Sequence, residues 1–304
     1  MIRDYLSETS YQWNRFWFLP RSAEVLSIMR ILVGSMLLYT HLVWTLELNT
    51  FFGPDGVLPV DYRSSYPEIG SYAWSHFDWS TSTLWIWGSH FLALTVFALF
   101  MFGAFTRVTS VLAFLFVVSY GNRATGALFG LDQINAFLTL YLAIGNCGQF
   151  YSIDARLRSS TPTQQGRAAV SALNTIATRL IQVHLCIVYL FAGLGKLQGT
   201  TWWNGEAVWG TLASYEYQTI DLTWMSEAMW LVNLLTLLTV AWEVSYAFLI
   251  WPRLTRPVFL AIAAIVHLTI GLSMGMLTFG LIMLYANAAF IEPSWLRRNK
   301  QDAL

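Results

Sequence analysis

The sequence predicts an all-α, polytopic membrane bundle. Of its 304 residues, 56% are hydrophobic and only 11% are charged, whereas soluble domains carry about 25% charged residues. The mean hydropathy is +0.51, and the 15 tryptophans and 14 tyrosines are typical of interfacial aromatic belts. The net charge of zero gives no basis for a nucleic-acid partner. These features together exclude an ordinary soluble domain.

The chain divides into three predicted parts. Residues 1–22 mix aromatic side chains with charges such as Arg3 and Asp4, which predicts an amphipathic interfacial segment rather than a cleaved signal peptide. Residues 23–295 form the predicted transmembrane domain. Residues 296–304 are a short polar tail, predicted to be cytoplasmic.

Apolar stretches near 20 residues predict about eight transmembrane helices. Glycines interrupt the last apolar run, so its two segments form either one broken helix or two helices. The predicted spans are Ala23–Leu48, Thr81–Phe102, Thr106–Tyr120, Ala124–Asn146, Val170–Leu197, Ala228–Trp251, Pro257–Ser273 and Met276–Ile291.

The positive charges predict the orientation. With the N-terminus inside, 12 of the 17 Lys and Arg residues fall in inner segments, three in outer segments and two within spans. This bias predicts a multi-pass protein of the cell (inner) membrane with both termini inside. Two outer segments, 49–80 and 198–227, are predicted to be structured. They either roof a cavity or only cap the helices.

A single lysine is the most informative residue. The chain has two lysines, and Lys196 closes the apolar run from Leu180 to Leu197. An amine in hydrocarbon must be paired, hydrated or neutral, and a desolvated amine can act as a general base. The alternative is a lysine that snorkels from a helix end to the headgroups.

The helix that carries this lysine has a polar face. Gln182, Tyr189 and Lys196 recur every seven residues, so they share one side of the helix. Gly193 and Gly195 lie beside the lysine and allow a neighbouring helix or a ligand to approach closely. We therefore predict a ligand pocket along this face.

Other polar residues are predicted at the same outer level. His41, His90 and Asp132 lie about seven to nine residues from the outer surface. Proton abstraction needs a base and a group that orients it, so Asp132 or Gln133 is predicted to orient Lys196. The histidines lack metal-ligand spacing, so no metal site is predicted.

A second set of charges is predicted at an inner level. Arg30, Arg179 and Glu243 each lie about seven to nine residues from the inner ends of their helices. We predict that Glu243 pairs with one or both arginines. The cluster is interpreted as structural, with a lipid-phosphate site as the alternative.

Several motifs between about Trp13 and Trp295 form a family pattern. They are Met29-Arg30-Ile31, Phe52–Pro59, Tyr151-Ser152-Ile153-Asp154, Arg179-Leu180-Ile181-Gln182, Tyr189–Leu197 followed by Trp203, and His267. With these motifs the sequence resembles the HTTM (horizontally transferred transmembrane) family, the bacterial relatives of the membrane domain of vitamin K-dependent γ-glutamyl carboxylase. The most specific motif is Tyr189–Leu197 in the fifth predicted span, which we call the helix-five phrase.

The resemblance implies a lysine base at Lys196 that takes a proton from a reduced, vitamin K-like quinone. In the carboxylases, oxygenation of the resulting anion gives a strong base that removes the γ-proton of a glutamate, to which CO2 adds. The predicted catalytic residues are Lys196, Asp132, Gln133 and His267. The residues predicted to bind the cofactor are Gln182, Tyr189, Gly193, Gly195, Trp203, His41 and His90. There are three departures from the carboxylases. Gly195 stands where the animal enzyme has a second lysine, and Asp132 and Gln133 occupy the outer half of the fourth span, where no histidine can be matched. A large lumenal domain after the membrane part is also not found.

We therefore expect a membrane enzyme, a lyase or oxidoreductase, that acts on a quinol or another isoprenoid lipid at the outer leaflet. A protein-carboxylation substrate domain is not evident. The alternative is a non-catalytic membrane component that assists the maturation or export of a secreted peptide or protein.

Overall fold

The structure, a computed structural model, describes residues 2–57, 73–158, 170–293 and 295. The predicted tail, 296–304, and the end of the Phe52–Pro59 turn lie outside the described residues. In chain order the helices are α1 (Ile2–Phe18), α2 (Glu24–Leu46), α3 (Leu48–Phe52), α4 (Thr83–Phe102), α5 (Thr106–Arg123), α6 (Gly130–Ile144), α7 (Ile153–Leu157), α8 (Ala172–Lys196), α9 (Thr200–Trp203), α10 (Ala207–Leu212), α11 (Met229–Leu249), α12 (Arg256–Ser273) and α13 (Leu277–Asn287).

Each of the eight segments predicted as a span contains one of these helices. Five are long and apolar enough to cross a membrane: α2, α4, α8, α11 with the 3-10 turn before it, and α12. Helices α5, α6 and α13 are shorter or less apolar, so the number of spans remains a prediction. The last apolar run forms two helices, since Gly275 adopts a φ of 68° between α12 and α13.

The described chain forms two compact units, with the boundary between Arg179 and Leu180 inside α8. In the first unit, α2 packs against α4, and α5 packs against α6. A two-residue antiparallel ladder pairs β1 (Arg21–Ser22) with β2 (Val170–Ser171). Buried apolar side chains such as Leu26, Phe97 and Phe100 form the core of this unit.

Two motifs of the first unit meet at the turn between α4 and α5. Arg30 is fully buried and donates from Nη2 to the backbone oxygen of Tyr151 at 2.6 Å. Asp154 accepts from the backbone nitrogens of Phe105 and Thr106 at 2.9 and 2.7 Å and from the Thr106 hydroxyl at 2.6 Å. The carboxylate therefore caps the N-terminus of α5, where unpaired N–H groups favour an anion.

In the second unit, two glycines bring α13 against α12. A Cβ at Gly280 would clash with the carbonyl oxygen of His267, and a Cβ at Gly271 would lie 3.3 Å from the backbone of Leu277. The absence of these side chains permits the close backbone approach that fixes His267. The outer segment 198–227, predicted to be structured, contains the two short helices α9 and α10, which are separated at Gly205, whose φ is 79°.

Large apolar side chains are exposed along the long helices of both units, as expected for surfaces that face lipid. Phe91 and Leu92 on α4 are 54% and 57% exposed, and Phe248 on α11 is 65% exposed. On α1, Tyr5 and Trp13 are 72% and 62% exposed, as the predicted interfacial segment requires.

Candidate functional site at Lys196

The second unit contains a charged pair at the end of α8. The Nζ atom of Lys196 donates to Oε1 and Oε2 of Glu243 at 2.8 and 2.7 Å. Their side chains are 25% and 11% exposed, respectively. Trp202 covers the amine, with its ring centre 5.2 Å from Nζ. Lys196 is therefore paired and partly desolvated rather than extended alone toward solvent.

The pair lies well inside α11 because α8 and α11 are offset along their axes. Gly193 packs directly on α11, where a Cβ would lie 2.8 Å from Val244 Cγ2 and 3.1 Å from Glu243 Cβ. Helix α11 begins at Met229, 14 residues before Glu243, which corresponds to about 21 Å at 1.5 Å per residue. The last residue of α8 thus meets the body of α11 rather than its end.

The prediction that Glu243 pairs with Arg30 or Arg179 was wrong. It assumed that residues equally far from helix ends share one depth, and the offset of α8 and α11 breaks that assumption. Within the first unit, Arg30 bonds to Tyr151, and the Arg179 guanidinium lies 4.1 Å from the Phe16 ring centre. Glu243 is the carboxylate that contacts Lys196 within the second unit. The orienting role predicted for Asp132 or Gln133 stays a prediction.

A chain of hydrogen bonds lies beside the charged pair. Tyr246 donates to Oδ1 of Asn287 at 2.6 Å, and Asn287 Nδ2 donates to the Tyr189 oxygen at 3.0 Å. The remaining contact joins the Tyr189 hydroxyl to His267 Nε2 at 2.6 Å. Asn287 occupies one lone pair of the Tyr189 oxygen, and we assign the Tyr189 proton to the contact with His267, which is the acceptor within reach. His267 Nε2 is then the acceptor, and Nδ1 carries the hydrogen.

This assignment leaves two buried donors without a partner. His267 Nδ1 and Trp242 Nε1 are both enclosed and form no hydrogen bond. The two rings lie 6.4 Å apart, and Trp242 also packs on Tyr189 at 4.9 Å. His267 feels the charge of Lys196, and Tyr189 feels that of Glu243. Buried donors normally find an acceptor, so these two N–H groups can donate to a ligand oxygen.

Three other residues that were predicted near Lys196, namely Gln182, Trp203 and Gly195, have different surroundings in the second unit. Gln182 is buried and donates to the backbone oxygen of Ala289 at 2.7 Å, which ties α8 to the turn after α13. Trp203 is 65% exposed and donates from its indole to the Leu197 oxygen at 2.7 Å. A Cβ on Gly195 would meet no atom within 4 Å, so there is open space beside the lysine.

In the first unit, His41 and His90 belong to an aromatic cluster around Tyr120. His90 contacts the Tyr120 hydroxyl through Nδ1 at 2.6 Å and the Thr45 hydroxyl through Nε2 at 2.8 Å. The His41 ring lies 4.5 Å from the Tyr120 ring, and its Nδ1 donates to the Leu37 oxygen at 2.8 Å. These contacts link α2, α4 and α5 within the core.

Asp132 and Gln133, which belong to the fourth predicted span, lie at the start of α6. Asp132 accepts from the backbone nitrogen of Phe129 at 3.1 Å and so caps its own helix, while the side chain of Gln133 is exposed. Asp132, His41 and Asn135 line a cavity of about 30 Å³, large enough for one or two water molecules. His41 Nε2 and Asn135 Oδ1 are buried acceptors at this cavity.

Sequence reasoning missed Glu243 as the partner of Lys196, and it did not assign Tyr246, Asn287, Trp202 or Trp242 to this site. Trp202 covers the lysine, although Trp203 was predicted, and Trp242 supplies one of the unpartnered donors. The Trp202-Trp203 pair gave no signal for choosing between its members. Among the described residues, no group of three or more His, Cys, Asp or Glu side chains is arranged to hold a metal ion.

The apolar helices and the buried polar centre define an α-helical membrane protein. The chain belongs to the HTTM family: the model of the HTTM domain matches residues 18–295. The HTTM domain is a membrane domain associated with γ-carboxylase-like proteins. Comparisons with curated proteins and with solved structures found no match.

Proposed function

We propose that the protein is a membrane enzyme that removes a hydroxyl proton from a reduced quinone or a similar isoprenoid lipid. The observation that carries the proposal is the contact of Lys196 Nζ with both carboxylate oxygens of Glu243. A reduced quinone supplies an acidic hydroxyl and a ring that reacts with oxygen after deprotonation. The family resemblance of the helix-five phrase supports this class of ligand.

Lys196 and Glu243 act as one proton-accepting unit. Starting from an ammonium and a carboxylate, Nζ passes a proton to an oxygen of Glu243, and the resulting amine takes the hydroxyl proton of the ligand. The pair ends as an ammonium and a carboxylic acid beside the ligand anion. The total charge does not change, which limits the desolvation cost of the transfer. Glu243 stores the proton, and Lys196 relays it.

The polar cluster beside the pair fits a ligand oxygen. His267 Nδ1 and Trp242 Nε1 are donors without a partner, and donors of this kind stabilise a developing oxyanion. Tyr189 fixes the tautomer of His267, and Gln182 holds the turn after α13. In this proposal these four residues position the ligand, while Lys196 and Glu243 move the proton.

The open space beside Gly195 supports entry of a lipid next to the amine. Leu194 and Phe191, on the same helical segment, are 42% and 67% exposed, so the surroundings are apolar. Pockets for such ligands are mostly apolar with a few polar groups. With the N-in and C-in orientation and the inner membrane location predicted from the charges, this opening faces the outer leaflet.

Identification of a co-purified lipid tests the proposal. The protein should be purified in mild detergent, and its bound lipids and peptides should be extracted and identified by mass spectrometry. We expect a quinone or quinol with the wild type and less of it with Trp242→Phe. Trp230→Phe, an exposed indole on the same helix, is the matched control and should retain the lipid. A bound peptide without a quinone would favour the maturation or export role.

A further inference from the structure

The first unit contains a basic cavity, and none of its lining residues belongs to the Lys196 site. Its volume is about 380 Å³, within the range of small-ligand sites. The N-terminal turn of α5, the end of α6 and the short helix α7 form its walls, and Arg107 and Arg158 line it. The cavity is therefore built from three segments that converge at one end of the helices.

The two arginines are held in place by neutral groups. Arg158 donates from Nη1 to Gln149 Oε1 at 2.7 Å and from Nη2 to the Gly148 oxygen at 2.9 Å. Arg107 donates from Nη2 to Asn146 Oδ1. A guanidinium has five N–H donors, so each side chain keeps donors for a ligand. In the part of the chain that the structure describes, neither arginine forms a salt bridge with a carboxylate.

Among the described residues that line the cavity, the one carboxylate, Asp154, is already occupied by hydrogen bonds within the protein. Asp154 accepts three hydrogen bonds from Phe105 and Thr106 at the start of α5. Arg158 and the buried Arg30 both act electrostatically on Asp154. Two arginines, Arg107 and Arg158, and one carboxylate, Asp154, are the charged residues that line the cavity in the described part of the chain, which leaves one positive charge in excess.

We propose that this cavity binds a phosphate-bearing anion, with the headgroup of an anionic phospholipid as its source. Arginine binds phosphate oxygens through paired N–H donors, and two such side chains at one cavity suit this geometry. Apolar surface lies at and next to the cavity: Leu157, which lines it, is 77% exposed, and Phe105, the neighbour of the lining residue Thr106, is 74% exposed. A free phosphate needs no apolar border, whereas a lipid places its acyl chains there.

The proposal is tested with the purified full-length chain in detergent. Thermal stabilisation and native mass spectrometry are used to compare phosphatidylglycerol, phosphatidylcholine and inorganic phosphate. We expect phosphatidylglycerol to bind, and Arg107→Gln with Arg158→Gln to weaken that binding by about tenfold or more, as expected for the loss of charge-assisted hydrogen bonds. Arg156→Gln is the matched control, since Arg156 is exposed on the same short helix but does not line the cavity.

The outcomes separate the sources of the anion. Equal stabilisation by inorganic phosphate would identify a free anion as the ligand and overturn the lipid as its source. Equal binding of phosphatidylglycerol and phosphatidylcholine, or equal losses in Arg156→Gln and the double variant, would overturn the site. If the double variant does not fold, Arg107→Gln alone decides, because its side chain is exposed and makes one hydrogen bond.

Discussion

Lys196 and Glu243 are 47 positions apart in the sequence, and Nζ of the first contacts both carboxylate oxygens of the second at 2.8 and 2.7 Å. Gly193 makes this contact possible, since it packs without a side chain against α11 at Glu243 and Val244. This amine and carboxylate share a partly buried position and link α8 to α11; in the proposed function the same pair also accepts the proton of the ligand.

The pair should contribute to stability as a coupled unit. Glu243→Gln leaves the Lys196 charge without its partner, and we expect a loss of about 1–3 kcal/mol, the range for a hydrogen bond to a charged group. Lys196→Met combined with Glu243→Leu removes both charges and should recover part of that loss. Thermal melting in detergent measures both. Strictly additive effects of the two sites would contradict coupling.

Gly193 and Gly195 provide a matched pair for the helix contact. Gly193→Ala places a methyl group 2.8 Å from Val244 Cγ2, and overpacking of this kind costs about 1–3 kcal/mol. Gly195→Ala meets no atom within 4 Å and should melt at or above the wild-type temperature, because alanine favours the helix. Equal melting of the two variants would contradict the close packing at Gly193.

A comparison of Tyr189 with Tyr246 distinguishes a hydroxyl that positions the ligand site from one that only stabilises the fold. Phenylalanine at either position removes one buried hydroxyl from the chain through Asn287, and each should cost about 1–2 kcal/mol of stability. Of the two tyrosines, Tyr189 is the one whose hydroxyl contacts His267. Tyr189→Phe should therefore weaken the binding of a reduced quinone, measured by titration, and Tyr246→Phe should not. Similar binding by both variants would exclude the role of Tyr189 in fixing the His267 tautomer.

Asp154 makes stability depend on pH. Burial raises the pKa of its carboxyl group, but hydrogen bonds from Thr106 and Phe105 and the charge of Arg158 outweigh this and lower the pKa overall. Because the folded pKa lies below the unfolded one, the carboxylate stabilises the protein at neutral pH. This contribution is lost as the pH falls through the folded pKa.

Two variants test this assignment. Asp154→Ala should cost about 1–2 kcal/mol at neutral pH, as for the loss of a helix cap. Asp154→Asn keeps an acceptor oxygen but does not titrate, so its melting temperature should vary less than the wild type's as the pH falls from neutral. Parallel melting curves for the wild type and Asp154→Asn would show that the cap does not carry the pH dependence.

Hydropathy predicted the helical segments because apolar length is a local property of the sequence. It also predicted the break near Gly275, where the backbone adopts a positive φ. The heptad spacing of Gln182, Tyr189 and Lys196 predicted a polar face, and all three residues lie in the one helix α8. Each contacts a polar group on another segment of the same unit, namely Ala289, His267 and Glu243, respectively.

The partners of Lys196 could not be predicted in the same way. Residue counts from the helix ends assigned Glu243 to the inner level and Lys196 to the outer level. The counts could not include the axial offset of α8 and α11, because that offset depends on the packing at Gly193. The choice of Trp202 over Trp203 depends on where α9 begins after α8 ends. The donors of Trp242 and His267 become significant only when their burial is known.

The most direct measurement is the ultraviolet spectrum of a reduced quinone bound to the protein without oxygen. Deprotonation of the ligand shifts its absorption, so proton transfer is observed without a second substrate. We predict a quinolate band with the wild type that is lost in Lys196→Arg, because arginine keeps the charge but does not release a proton, and in Glu243→Gln. A bound quinol without this band in the wild type, or an equal band in both variants, would contradict the account.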